Sequence, residues 1–74
     1  MIDWSKVRNQ QFGEDKESVA TVDGVEVGYV SRYRYSRNAM WDAFIGGDRQ
    51  EKFHDVGSTV KEARKAFEEI YNNV

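Results

Sequence analysis

The sequence predicts an α+β fold, in which an antiparallel sheet of three to four strands packs against one C-terminal amphipathic helix. Three observations support this class. Asp23-Gly24 separates two β-rich runs, as in a tight hairpin. In Trp41–Ile45, the period of a strand places Trp41, Ala43 and Ile45 on one face and leaves Asp42 on the other. Thr59 and Glu62 open a run of apolar residues at helical spacing. At 74 residues, we expect residues 1–74 to form a single small domain.

The predicted hairpin fixes which residues of its two strands face each other. A two-residue type I′ turn at Asp23-Gly24 places Val22 opposite Val25, and Ala20 opposite Val27. These residues form the more apolar face, which we assign to the core. Continued alternation then gives Tyr29, Tyr33 and Tyr35 to the core face, and Val19, Thr21, Glu26, Val30, Arg32 and Arg34 to the outer face.

The third and fourth strands follow a polar turn. The strand Trp41–Ile45 contains Asp42, whose carboxylate would be costly to bury without a partner. A turn is predicted at Gly46-Gly47-Asp48, and a fourth strand at Glu51–Val56 with Phe53 inward, its register left open. The expected faces are Trp41, Ala43 and Ile45 toward the core, and Met40, Asp42 and Phe44 toward the outside.

The helix is predicted from Thr59 onward, because Thr59 and Glu62 are spaced as a capping box. An isolated helix of this length is marginal in water, so its apolar stripe must pack on the sheet. The stripe comprises Val60, Ala63, Phe67, Ile70 and Val74, and the charged side comprises Lys61, Glu62, Arg64, Lys65, Glu68 and Glu69.

The N-terminal segment Ile2–Arg8 is long enough for one or two helical turns, so a short N-terminal helix is the alternative to a tail. In either form, we expect Trp4 to plug one end of the core. The segment has no basic stretch followed by an apolar run, and no run approaches the roughly 20 apolar residues that cross a bilayer. Together with the absence of cysteine, this predicts a cytoplasmic protein without a membrane partner.

No catalytic or metal-binding motif stands out. His54 is the only histidine, and its neighbour Asp55 would point to the opposite face of a strand. A general base needs a nucleophile or substrate beside it, and a metal site needs several ligands. We therefore expect no catalytic residue, no metal and no cofactor, and a protein that is not an enzyme.

The segment Tyr29–Arg37 holds three arginines and three tyrosines in a chain whose net charge is −2. Arginine beside aromatic residues suits a partner site, whereas the alternative is that the tyrosines are core and the arginines are merely solvated. An outer face that nothing covers could also be a homodimer seam. The candidate partner-binding residues are Arg32, Arg34, Arg37, Met40 and Phe44, with Lys61, Arg64 and Lys65 on the helix as a secondary set.

Three motifs resemble a group of DNA-binding domains. Arg32-Tyr33-Arg34, Trp41–Ile45 and Thr59–Ala63 are similar to the pattern R-x-R, W-x-A-x-I and T-x-x-E-A. This pattern belongs to plant ethylene-response-type domains and to the arm-binding domains of phage tyrosine recombinases. The resemblance spans roughly residues 29 to 67. It implies a three-stranded sheet laid in the DNA major groove, with the two arginines of the first motif contacting DNA.

Two further resemblances concern other partners. Lys61, Ala63 and Arg64 are similar to the start of the final helix in double-stranded RNA-binding domains, which implies contact with phosphates. In size and style, the acidic sheet-plus-helix chain resembles small phage proteins that inhibit host machinery, anti-CRISPR proteins among them.

These observations favour a non-enzymatic binding protein of phage or mobile-element type. It would bind and modulate or inhibit a larger host protein complex through its outer sheet face. The first alternative is a DNA-binding accessory domain that lays its sheet on duplex DNA, and the second is a module like those that bind double-stranded RNA.

Overall fold

The computed structural model describes residues 1–47 and 50–73, and within them six strands and one helix. The four longer strands form an antiparallel sheet in the order β3-β4-β5-β6, with β1 and β2 both paired to the free edge of β3. The predicted α+β class with one C-terminal helix is confirmed, although the sheet has more strands than the three to four expected. The elements are β1 (Asp3–Trp4), β2 (Arg8–Asn9), β3 (Asp15–Val22), β4 (Val25–Tyr33), β5 (Trp41–Ile45), β6 (Glu51–Gly57) and α1 (Val60–Asn72).

The N-terminal segment is extended, so the alternative of a short N-terminal helix is wrong. Trp4 of β1 pairs with Ala20 of β3, and this pairing supplies partners for backbone groups that one or two helical turns would leave unsatisfied. The Trp4 ring meets the Phe67 ring edge-on at a centroid distance of 5.0 Å. Its indole N–H donates to Oε2 of Glu68 at 3.0 Å. Trp4 therefore packs against the core, as predicted.

The register of the first hairpin changes within β4. Val22 pairs with Val25 as predicted, but Ala20 pairs with Gly28 rather than with Val27. Val27 is the extra residue of a β-bulge, and an extra residue in one strand moves every following side chain to the other face. The backbone of Gly28 has a φ of 155°, outside the range that other residues favour. The bulge thus rests on a glycine that the hairpin pattern did not single out.

This bulge overturns the predicted faces of β4. Val30, expected outside, is fully buried in the core. Tyr29, expected in the core, lies on the outer face and stacks on Phe44 with ring centroids 4.6 Å apart. Tyr33 at the end of β4 and Tyr35 in the following turn are exposed rather than buried. The one-residue shift accounts for the strand residues, and Tyr35 lies beyond the strand, where alternation no longer applies.

The core lies between the sheet and α1, and it confirms the faces predicted for β5. Phe67 is fully buried at its centre, and Phe53 packs inward opposite Ala43 as expected. Strand β6 is irregular, because Asp55 has a positive φ of 53° and the pairing with β5 shifts around it. Of the predicted turn at residues 46–48, Asp48 lies outside the described residues. The buried core comprises Ala20, Val30, Trp41, Ala43, Ile45, Ala63 and Phe67.

The helix begins as the capping-box pattern predicts. The backbone N–H of Glu62 donates to Oγ1 of Thr59 at 3.2 Å. In return, the hydroxyls of Ser58 and Thr59 donate to Oε1 of Glu62 at 2.6 and 3.2 Å. Val74, predicted as the last residue of the apolar stripe, lies outside the described residues. No helix in the described ranges is both long enough and apolar enough to cross a membrane.

Acidification should weaken this helix start. Hydrogen bonds from Ser58 and Thr59 hold the pKa of Glu62 below its ordinary value of 4.5. The ionised carboxylate is thus favoured in the folded chain, and its contribution is complete above the unfolded pKa and lost as the pH falls through the folded one. We expect Glu62→Gln to lower the melting temperature at neutral pH and to flatten its decline in acid, measured by circular dichroism.

The matched control is Glu69→Gln, an exposed glutamate on the same helix. It should keep the acid decline of the unmodified chain. Parallel pH curves for Glu62→Gln and the unmodified chain would contradict the role given to this carboxylate.

Candidate functional site

The outer face of the sheet carries the stacked pair of Tyr29 and Phe44. Phe44 lies on this face as predicted and is partly buried by its neighbours. The ammonium group of Lys52 lies 5.3 Å from the centroid of the Phe44 ring. Burial raises the pKa of Tyr29, and the nearby carboxylates, that of Glu17 foremost, raise it further. The phenol is therefore held neutral and remains a hydrogen-bond donor on a largely aromatic surface.

Asp42 joins β5 to the irregular part of β6 on the outer face. Its Oδ1 accepts the backbone N–H of Asp55 at 2.9 Å. Its carboxylate also lies 3.9 Å from Nζ of Lys52 and 3.9 Å from Nδ1 of His54. Within the described residues, no group of three or more potential ligand side chains is placed to hold a metal ion. Asp42 thus has a structural task, which is to fix the backbone where Asp55 adopts a positive φ.

A second surface lies at the end of the sheet where β3 begins and β4 ends. The loop before β3 is tied to the turn after β4, because the backbone N–H of Arg34 donates to the carbonyl of Glu14 at 3.1 Å. The ring of Tyr33, the last residue of β4, meets the ring of Tyr35 in the turn edge-on, with centroids 5.5 Å apart. The guanidinium carbon of Arg34 lies 4.8 Å from the centroid of the Tyr35 ring. We call this surface the arginine–aromatic patch, and it comprises Phe12, Tyr33, Arg34, Tyr35, Arg37 and Met40.

The patch is unusual for the exposure of its large apolar side chains. Phe12 is 95% exposed, Tyr35 66%, Tyr33 45% and Met40 40%. Single exposed apolar residues are common on protein surfaces, whereas a contiguous group is typical of an interaction site. The loop connection brings these residues to one end of the fold, where the rings of Tyr33 and Tyr35 and the guanidinium of Arg34 are in contact.

The charge of the patch is positive although that of the chain is negative. Residues 10–16 and 32–40 together hold three arginines, one lysine and two carboxylates, which leaves +2 in a chain of −2. Among the ion pairs of the described residues, neither Arg34 nor Arg37 has a carboxylate within 4.0 Å. The Nε of Arg34 is buried and has no hydrogen-bond partner in the part of the chain described. Arg34 is half-buried and Arg37 is exposed, so both side chains can be reached by a partner's acceptors.

Arg32 lies on a different side of the sheet from the one predicted. Since the bulge puts it on the side of Val30, it does not lie on the outer face beside Phe44. Its guanidinium instead sits 5.7 Å from the Trp41 ring centroid. Its Nη1 donates to the carbonyls of Tyr33 at 2.9 Å and of Ser36 at 2.8 Å. Arg32 therefore holds the turn that presents the patch.

The three residues of the secondary set on the helix differ in their exposure. Lys61 and Lys65 are exposed, as predicted for the charged side. Arg64 is partly buried, and its Nη2 donates to the carbonyl of Ser5 at 3.1 Å and to Oγ of Ser18 at 2.9 Å. It also lies 5.7 Å from the Trp4 ring centroid. Arg64 thus connects the helix to the N-terminal segment and to β3, and its place in the secondary partner-binding set stays a prediction.

Three residues of the patch escaped the sequence-based list of candidates: Phe12, Tyr33 and Tyr35. The two tyrosines were assigned to the core because regular alternation was assumed along β4, and the bulge breaks this alternation. Phe12 offered one usable signal, which is a large aromatic residue inside the polar, glycine-containing segment Gln10–Glu17. Phe12 lies at the same end of the fold as the tyrosines only because its loop is hydrogen-bonded to the turn after β4, and this contact cannot be read from the sequence.

Two of the proposed resemblances can be set beside the observed geometry. The DNA-binding group implies that both Arg32 and Arg34 contact DNA, yet Arg32 is engaged by the turn and by Trp41. The RNA-binding group implies that Arg64 contacts phosphate, yet Arg64 is engaged by Ser5 and Ser18. Compared with known proteins, the chain matches no protein-family model, no curated protein and no solved structure. The resemblances therefore stay predictions.

Proposed function

We propose that this chain is a non-catalytic protein-binding module that docks its partner on the arginine–aromatic patch and the adjoining outer face. The observation that carries the proposal is the joining of exposed aromatic rings with arginines that lack a carboxylate among the described residues. Tyrosine and arginine are enriched among the residues that dominate binding energy at protein interfaces. A module of 74 residues would modulate a larger complex by occupying a surface which that complex uses.

The edges of the sheet support docking through side chains rather than through an added strand. An open edge strand offers unpaired backbone groups to another chain, and charges or bulges reduce this tendency. Edge strand β6 carries Lys52 and the positive-φ residue Asp55, which interrupt its pairing surface. On the other side, β1 and β2 occupy the edge of β3. Backbone pairing with a partner, or between two copies, is therefore disfavoured at both edges.

A capture experiment with matched variants tests the proposal. The tagged full chain is incubated with an extract of its source cells, with and without nuclease, and bound proteins are identified by mass spectrometry. We expect Arg34→Ala/Tyr35→Ala to lose at least about tenfold of the captured partner, as truncation of central interface residues does. The control, Lys61→Ala/Lys65→Ala, removes two exposed helix charges and should capture as much as the unmodified chain.

Three results would contradict the proposal. Equal capture by the patch variant and the unmodified chain would place binding elsewhere. Loss of capture after nuclease treatment would favour the DNA-binding or RNA-binding alternative, whose affinity should also fall steeply with salt. A dimer in light-scattering measurements that Phe44→Ala disrupts would assign the outer face to a second copy of the chain.

A further inference from the structure

We infer that the partner contributes an acidic, extended segment to the arginine–aromatic patch, with its carboxylates on Arg34 and Arg37 and an apolar side chain against Tyr33 and Tyr35. This inference rests on the proposed function and adds the chemistry of the partner. It follows from three features of the patch: an oriented guanidinium group, a confined positive charge and an exposed pair of rings.

The guanidinium group of Arg34 is already oriented before binding. Its backbone is fixed by the hydrogen bond to the Glu14 carbonyl, and its charged head lies over the Tyr35 ring. A planar guanidinium held in this way matches a carboxylate with two parallel hydrogen bonds, and little side-chain freedom is lost on binding. Its buried Nε has no acceptor within the described residues. A carboxylate arriving beside the Tyr35 ring would satisfy the guanidinium charge that the fold leaves unpaired.

The size of the positive region favours a carboxylate-bearing segment over nucleic acid. The patch loops carry +2, whereas the rest of the chain carries −4, given the total of −2. At physiological salt, charges act over about 8 Å, so the patch attracts an anion although the chain as a whole is acidic. A nucleic-acid strand would continue from the patch onto the acidic remainder, with one charge on every nucleotide. A peptide segment with two or three carboxylates carries its negative charge only where it meets the patch, and so avoids repulsion by the acidic remainder of the chain.

The aromatic rings supply the other half of the recognition. Tyr33 and Tyr35 meet edge-on, and both remain exposed, so an aliphatic or aromatic side chain can pack against them while their hydroxyls stay in water. Phe12, on the loop tied to this turn, is a further exposed aromatic residue at the same end of the fold. An extended segment that alternates acidic and apolar residues presents both chemistries to the patch.

Selection from a random peptide display library tests the inference on the full chain. Peptides are selected on the unmodified protein and, in parallel, on Arg34→Glu and Arg37→Glu variants that circular dichroism shows to be folded. We expect the unmodified chain to enrich Asp or Glu next to one apolar residue. Each charge-reversal variant should lose about tenfold in affinity for those peptides, and should itself enrich Lys or Arg instead. Lys6→Glu, at an exposed lysine of the N-terminal segment, is the control and should leave the selection unchanged.

The outcomes separate this inference from the function on which it rests. Enriched peptides that lack acidic residues but still need Tyr35 would overturn the acidic segment while leaving the patch as the binding surface. Peptides whose binding survives Arg34→Ala/Tyr35→Ala would overturn the patch itself, and with it the proposed function. Fluorescence anisotropy with oligo(dT) and oligo(U) is the nucleic-acid arm. Tighter binding of either oligonucleotide than of the peptides at physiological salt would also overturn the inference.

Discussion

Replacement of Phe67 by alanine is expected to remove most of the protein's stability. The Phe67 ring is fully buried between α1 and the sheet, and it contacts the rings of Trp4 and Tyr71 at centroid distances of 5.0 and 6.1 Å. Truncation of such a residue costs about 3–5 kcal/mol, through lost burial and the cavity left behind. A domain of this size has a stability of only about 5 kcal/mol. Urea unfolding followed by circular dichroism should show a largely unfolded chain or a strongly lowered midpoint.

The matched control for this prediction is Phe12→Ala. The same chemical change at a residue that is 95% exposed should alter the free energy of unfolding by less than about 0.5 kcal/mol. If Phe67→Ala shifted the urea midpoint no more than Phe12→Ala does, Phe67 would not be the centre of the core.

Replacement of Gly28 by alanine is expected to have the second-largest effect. A Cβ atom there would lie 2.2 Å from the carbonyl oxygen of Phe44 and 2.7 Å from Cε2 of Phe67. The first contact is with backbone, which cannot yield as a flexible side chain does. The φ of 155° also disfavours any residue with a side chain. We expect a loss of about 1–3 kcal/mol in the free energy of unfolding, as for other overpacked sites, measured by urea unfolding.

Gly47→Ala provides the control, because a Cβ atom at Gly47 meets no atom of the described residues within 4 Å. Its free energy of unfolding should change by less than about 0.5 kcal/mol. An equal stability for the two variants would mean that β4 can straighten at Gly28. Ala20 would then pair with Val27, as the hairpin pattern predicts, and Tyr29 would move toward the core.

Local patterns predicted the parts of the fold whose causes lie close together in the chain. The Asp23-Gly24 turn pairs Val22 with Val25, and Thr59 caps the helix, because each depends on only a few consecutive residues. The alternation in β5 also predicted its core face. Asp42 lies on one face, and the other face, which carries no charge, is the one that is buried. The N-terminal strands were missed, because each is only two residues long and therefore shows no alternation of its own.

The candidate site was predicted only in part. The sequence directed attention to the arginine-rich segment Tyr29–Arg37, and the arginine–aromatic patch contains Arg34 and Arg37 of that segment together with Met40. The structure separates them from Phe44, which lies on the outer face with Tyr29. The sequence does not distinguish these arginines from one another, but their contacts in the structure differ. Arg32 and Arg64 are held by backbone carbonyls that the sequence does not place beside them.

The sequence by itself determined the fold class, the hairpin turn, the core face of β5 and the capped helix, since short-range turn chemistry and periodicity govern these features. Only the tertiary structure decided which face of β4 enters the core. The Phe67 ring packs where Gly28 lacks a side chain, and that contact joins residues far apart in the chain. The resulting bulge buries Val30, turns Tyr29 outward and commits Arg32 to the turn, which leaves Arg34 beside the exposed tyrosines.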